Sequence, residues 1–219
     1  DIVCFTGSTA IGKKIALECS KTLKPHILEL GGKDPMIVLK DANIHRSIES
    51  ALFGGLSNSG QTCISTEEVF IEEDIYDIFL SKITKRIKKI KSGFSSDSDL
   101  GSMIMPQNTS KVNKHIAEAS KTCTIIQGST ESGEMFIPPT LIIEPDENLA
   151  IVNEETFGPV LSLRKFSNES NLISKIHKTG YGLSASIFGK DKKRIKNIIK
   201  KIKTGNVSIN DVLTHYGIA

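Results

Sequence analysis

Tryptophan is missing from these 219 residues, aromatics make up only 5% of them, and cysteine occurs four times. Cys4, Cys19, Cys63 and Cys123 are widely scattered, with no C-x-x-C pair and no His/Cys cluster, so a metal site of the zinc-finger kind is not expected. The same scatter is not a disulfide framework and points to a reducing, cytoplasmic compartment. No run approaches the roughly 18 apolar residues of a membrane span, and the N-terminus carries no signal-peptide pattern. A strong charge bias is missing as well. Lys+Arg 28 against Asp+Glu 25 leave +3, too mild an excess to imply a nucleic acid or other polyanion. What remains is 38% hydrophobic and 24% charged, the composition of a globular chain long enough to bury a real core.

Strand-like and helix-like stretches alternate along the chain. Ile2–Phe5 reads as a short strand and 10–23 as a helix. Pro35-Met36-Ile37-Val38-Leu39 is apolar without alternation, as in a strand covered on both faces. Asp41 or Asn43 can cap a helix carrying Ile44, Ile48, Leu52 and Phe53. Val69–Ile71 is a strand, and 74–91 an amphipathic helix with Ile75, Ile78, Phe79, Ile83, Ile87 and Ile90 on one stripe. Helices at 107–121, 168–178 and 191–203 and strands at 123–126, 140–143, 160–163, 182–188 and 207–209 complete the pattern. This alternation predicts an α/β fold with a largely parallel sheet flanked by helices. The lysine-rich helices at 74–91 and 191–203 keep clean apolar stripes without interleaved aromatics, and read as solvated outer helices.

Four stretches carry possible chemistry. Gly60-Gln61-Thr62-Cys63-Ile64-Ser65 sets one thiol among small and hydroxyl residues, where a substrate could approach the sulfur; an isolated buried cysteine would look similar. In His26-Ile27-Leu28-Glu29-Leu30-Gly31-Gly32-Lys33, Glu29 reads two ways. It is either a semi-buried carboxylate with a raised pKa, suited to general-base work, or the exposed member of an alternating strand, sharing a face with Ile27. Thr6-Gly7-Ser8-Thr9 joins a strand to a helix N-terminus, a geometry that favours an anion, although the G-x-G-x-x-G fingerprint is missing. Asn153-Glu154-Glu155-Thr156-Phe157-Gly158-Pro159 is a loop with paired carboxylates and an aromatic.

Taken in order, Leu28-Glu29-Leu30-Gly31-Gly32-Lys33, Gly60-Gln61-Thr62-Cys63 and Glu154-Glu155-Thr156-Phe157-Gly158-Pro159 resemble the aldehyde dehydrogenase superfamily. Phe5-Thr6-Gly7-Ser8-Thr9 with Gly12-Lys13, and Asn210-Asp211-Val212, match the same family. The resemblance implies NAD(P)-dependent oxidation of a small aldehyde to a carboxylic acid. Cys63 would be the nucleophile and Glu29 the base that activates water. Gly7 and Ser8 would lie at the cofactor pyrophosphate, Leu30 near its carboxamide through the backbone carbonyl, Glu155 at the nicotinamide ribose and Phe157 beside the ring. NAD or NADP is the implied cofactor, with no metal, and the implied assembly is a homo-oligomer, dimer or tetramer. By the same resemblance residues 1–31 are the end of the dinucleotide-binding domain and 32–219 most of the catalytic domain. The chain, opening on Asp1 and stopping at Tyr216-Gly217-Ile218-Ala219, is expected to be a fragment without dehydrogenase turnover of its own. Between the cysteine and the next strand the family commonly has a basic residue where this chain has Glu67-Glu68, read here as a surface change away from the chemistry. Two other functions stay open: a cofactor-independent thiol esterase or hydrolase using Cys63 and Glu29, and a non-catalytic module that keeps only the fold.

Overall fold

A computed structural model describes residues 1–214; the Tyr216–Ala219 end lies outside the described residues. In chain order the elements are β1 (Val3–Thr6), α1 (Thr9–Ser20), β2 (His26–Glu29), β3 (Asp34–Val38), α2 (Ile44–Leu56), a 3-10 turn (Ser57–Gly60), β4 (Thr66–Glu72), α3 (Glu73–Ile87), β5 (Lys91–Ser92), α4 (Pro106–Ala119), β6 (Thr124–Gln127), β7 (Ser129–Thr130), β8 (Thr140–Ile143), α5 (Ala150–Asn153), β9 (Val160–Phe166), α6 (Glu169–Lys178), β10 (Ser184–Phe188), α7 (Lys192–Ile199) and β11 (Asn206–Ile209). Seven strands form one sheet in the order β11-β10-β3-β4-β9-β8-β6, parallel throughout except for β6, which runs antiparallel to β8. β1 and β2 pair with each other in parallel, apart from that sheet, and β5 pairs with β7.

The central strands are apolar on both faces because both are covered. In β3, Met36 and Val38 enter one core with Val69, Ile71, Leu161 and Leu163, under α2 and α3. Ile37 and Leu39 point the other way, into a second core with Phe70 and Ile187 under α6 and α7. A third cluster joins Val112 of α4 to Ile142, Val152 and Val160. Fully burying one such aliphatic side chain contributes roughly 1.5–3 kcal/mol, so this two-sided packing fixes the strand order and registers.

Local chemistry sets the ends of the helices. Asn43, not Asp41, caps α2, its side chain accepting from the Arg46 N–H at 3.1 Å. Asp41 accepts instead from the Lys190 and Asp191 N–H groups. Ser8, Asn168 and Asp191 cap α1, α6 and α7 in the same way. Two positions of the predicted apolar stripes face outward: Phe53 at the end of α2 and Ile78 of α3 are both exposed.

The topology has one consequence for function. Ser184, Asp34, Thr66 and Val160 begin the adjacent strands β10, β3, β4 and β9. The Gly31–Lys33, Cys63 and Glu155–Phe157 stretches immediately precede β3, β4 and β9. The parallel order thus gathers segments far apart in sequence along one edge, at the N-terminal ends of the strands.

Candidate active site

Cys63 sits in a turn with unusual backbone. Asn58, Ser59 and Gly60 all adopt left-handed conformations, with φ of 53°, 55° and 70°. Such a run is strained for side-chain-bearing residues and persists only where surrounding bonds hold it. Here the Asn58 amide donates to the Gln61 carbonyl at 3.0 Å, and the Gln61 amide donates back to the Asn58 carbonyl at 3.0 Å. Gln61 Oε1 also accepts from the Ile104 N–H, and the Ser59 hydroxyl donates to the Gly101 carbonyl. Gly60 is required by its φ and by its neighbour, since a Cβ there would lie 2.1 Å from the Gly158 carbonyl oxygen. Gly60 and Gln61 are therefore buried packing that anchors the turn, not the open clearance read from composition.

The thiol is half-buried. Burial, reinforced by the Asp34 carboxylate, pushes the Cys63 thiol above its ordinary pKa, against the backbone N–H groups of Cys63 and Ile64, which favour the thiolate. Around it the three strand-leading segments are packed at contact distance. A Cβ on Gly32 would lie 2.3 Å from the Cys63 carbonyl oxygen, so only glycine allows the approach. The Gly32 N–H donates to Glu155 Oε1 at 3.1 Å, and burial raises the Glu155 pKa. Glu155, half-buried, thus faces the glycine pair directly. Phe157 has a left-handed φ of 58°.

Glu29 lies at the end of β2 and is exposed, as is Ile27 on the same face. The two-stranded β1–β2 ribbon leaves that face uncovered among the described residues. Leu30 is partly buried and packs toward Gly12 of α1. Gly7 donates its N–H to the Glu29 carbonyl, and Ser8 caps α1, accepting from the Ile11 N–H at 3.4 Å. The first turn of α1 holds no acidic residue to oppose an anion. These residues suit a nucleotide: a helix N-terminus for its phosphates, and a carboxylate against a glycine backbone for a ribose. Where Gly31 stands, a Cβ would lie 2.4 Å from the Glu155 carboxylate.

Three residues of the site escaped the sequence reading. Glu67 and Glu68 are not a surface pair; they are 4% and 1% exposed. The Glu67 carboxylate takes the Lys33 ammonium at 2.6 Å, the Thr156 N–H at 2.8 and 2.9 Å, and the Phe157 N–H at 2.9 Å. Glu68 pairs with Arg164 at 3.0 Å, and burial still raises its pKa against that cation. Asp34, also buried, accepts from the Ser184 N–H at 3.1 Å and the Ser184 hydroxyl at 2.5 Å. Burial pushes its carboxyl up to about 7, with Glu67 and Glu155 adding to the effect. The signal for Glu67-Glu68 was available: two carboxylates inside a strand covered on both faces need buried partners.

Comparison with known proteins fits this geometry. The model of the Aldehyde dehydrogenase family matches residues 1–217. A glutarate-semialdehyde dehydrogenase of Pseudomonas putida is 32% identical over 98% of this chain and 45% of its own length. A succinate-semialdehyde dehydrogenase [NADP(+)] of Escherichia coli is 34% identical over 94% of this chain and 44% of its own. Among solved structures, betaine aldehyde dehydrogenase from Staphylococcus aureus in complex with NAD+ superposes with a TM-score of 0.89 at 33% identity, covering 96% of this chain and 44% of that one. The putative aldehyde dehydrogenase PutA from Anabaena variabilis reaches 0.94 at 29% identity, over 100% and 48%. The chain spans about half the length of the curated relatives it matches. With the α/β architecture, the largely parallel sheet and the family match running over nearly its whole length, this chain belongs to the aldehyde dehydrogenase family.

Proposed function

We propose that the protein containing this chain oxidises an aldehyde to a carboxylic acid with NAD or NADP, and that Cys63 is its nucleophile. The reading rests above all on the convergence of Gly32, Cys63 and Glu155 at one sheet edge, with the Gly32 N–H on Glu155 and the Cys63 carbonyl packed against Gly32. Residues 1–31 form the end of the nucleotide-binding part and 32–219 most of the catalytic part. Free thiols at Cys4, Cys19, Cys63 and Cys123 fit a reducing cytoplasm.

In this reading the Cys63 thiol gives up its proton to solvent and the resulting thiolate attacks the aldehyde carbon, forming a C–S bond as the carbonyl π pair moves onto oxygen, which gives a tetrahedral thiohemiacetal. The Cys63 backbone N–H is suited to hold the oxyanion. The chemistry a bound nicotinamide supplies is acceptance of the hydride from that carbon. When the cofactor is bound, Glu155 would hold its ribose and Phe157 would line the ring, while Gly7 and Ser8 would cradle the phosphates and Leu30 would meet the carboxamide through its backbone carbonyl. Cys63 then carries the acyl group as a thioester. Glu29 takes a proton from water as the oxygen attacks the thioester carbonyl; the C–S bond breaks, the acid leaves, and the proton held on Glu29 passes to the departing sulfur, restoring the thiol. The test is Cys63→Ala in the full-length protein, assayed for aldehyde-dependent NAD(P)H production. Loss of at least about 10³-fold, the scale expected for a missing nucleophile, supports the assignment. Retained turnover overturns it.

A further inference from the structure

Glu67 occupies an unusual place for a group with no part in the proposed chemistry. Its carboxylate is buried on β4, beyond the thiol, and each of its oxygens is in use. Two successive N–H groups, Thr156 and Phe157, converge on it, so the loop between α5 and β9 forms an anion-binding concavity that this side chain fills. The charge that makes this tolerable comes from Lys33, wholly buried and 2.6 Å away. Lys33 directly follows Gly32, whose N–H holds the Glu155 carboxylate. One buried pair therefore clamps the loop on two sides of Glu155: through the Gly32-Lys33 backbone on one flank and through Thr156 and Phe157 on the other. Phe157 keeps a left-handed φ of 58°, a conformation that a non-glycine residue needs outside help to hold.

We propose that Glu67, with Lys33 as its counter-ion, is a positioning residue for nucleotide binding: it fixes Glu155 and Phe157 in the orientation in which they receive a nicotinamide ribose and ring. The inference rests on the proposed cofactor role of Glu155 and Phe157. It separates nucleotide affinity from the reactivity of the thiol, because the Cys63 turn is held by other bonds, those of Asn58, Ser59 and Gln61. A purely structural pair would change folding and leave the affinity of the folded protein alone.

The experiment is nucleotide titration of the full-length protein by calorimetry, with NAD+ and NADP+ separately, for wild type and Glu67→Gln. It is joined by KM and kcat for the nucleotide and by the alkylation rate of Cys63. Glutamine keeps the shape but loses the anion, so charge-assisted bonds to Thr156 and Phe157 become neutral ones. The expected result is a rise in nucleotide Kd and KM of roughly ten- to a hundred-fold, the worth of one to two such bonds. Cys63 alkylation should stay within about twofold of wild type, since its own hydrogen bonds are untouched. If Glu67→Gln does not fold, Glu67→Asp carries the test: it retains the charge one methylene short, and a severalfold loss of affinity with the fold kept is expected. Unchanged nucleotide Kd in either folded variant overturns the inference. Wild type that binds neither nucleotide overturns instead the underlying reading of the site, so the two failures are distinct.

Discussion

Replacing Asp34 with asparagine isolates the most displaced carboxyl beside the thiol. Asp34 is 4% exposed and titrates at about 7 rather than at its ordinary 3.8, because burial disfavours the anion more than the two Ser184 hydrogen bonds favour it. The unfolded chain releases this proton near pH 3.8, whereas the folded chain keeps it until about pH 7. Below the lower value both states are protonated and the group costs the fold nothing. Through the window between them unfolding releases a proton, so stability falls as pH rises, by up to about 1.4 kcal/mol per pH unit. Across the whole window the loss amounts to roughly 4 kcal/mol, levelling off above the folded value. Asparagine imitates the protonated acid: its oxygen can accept the Ser184 N–H, and it never ionises. Urea unfolding of both proteins from pH 5 to 8.5 should show the variant gaining on wild type as pH rises, with other titrations cancelling in the difference. The same change removes the anion facing Cys63, so the pH profile of thiol alkylation should move to lower pH. A stability difference that stays flat across this range would refute the reasoning.

Two further predictions concern packing. Arg164→Ala strands Glu68 in the β4–β9 core and should cost about 3–5 kcal/mol, while joint replacement of Glu68 and Arg164 by methionine should recover most of it; chemical denaturation of the two variants measures this. Gly60→Ala forces a methyl group against the Gly158 carbonyl at a φ of 70°, and should lower stability by about 2 kcal/mol or more and slow the proposed Cys63 chemistry with it.

Much of this arrangement is legible in the sequence, for reasons specific to each element. The unbroken apolar run of β3 announces a strand covered on both faces, and the two cores on its opposite sides are the physical counterpart. The alternation of Ile27 and Glu29 announces a face that is exposed among the described residues. Other features have no local signal. β6 pairs antiparallel with β8 although nothing in Thr124–Gln127 encodes a direction. The four-residue α5 is too short for a hydrophobic period to form. Glu67 and Glu68 look like surface charges because their partners lie far away in sequence: Lys33 is 34 positions back and Arg164 is 96 ahead. Only the sheet order, which sets β3 and β9 on either side of β4, brings those cations to them. Similarly, the left-handed turn at Asn58–Gly60 depends on Gly158 and Ile104 and cannot be read from its own residues.

The central claim is that Cys63 carries the acyl group, and covalent capture tests it most directly. The full-length Glu29→Gln protein, incubated with an aldehyde and NAD+ or NADP+, quenched in acid and mapped by peptide mass spectrometry, should accumulate the acyl group on the peptide containing Cys63. Slowed hydrolysis leaves the thioester in place. Product formation with no acyl mass on that peptide, or an adduct on Cys4, Cys19 or Cys123 instead, would contradict the account.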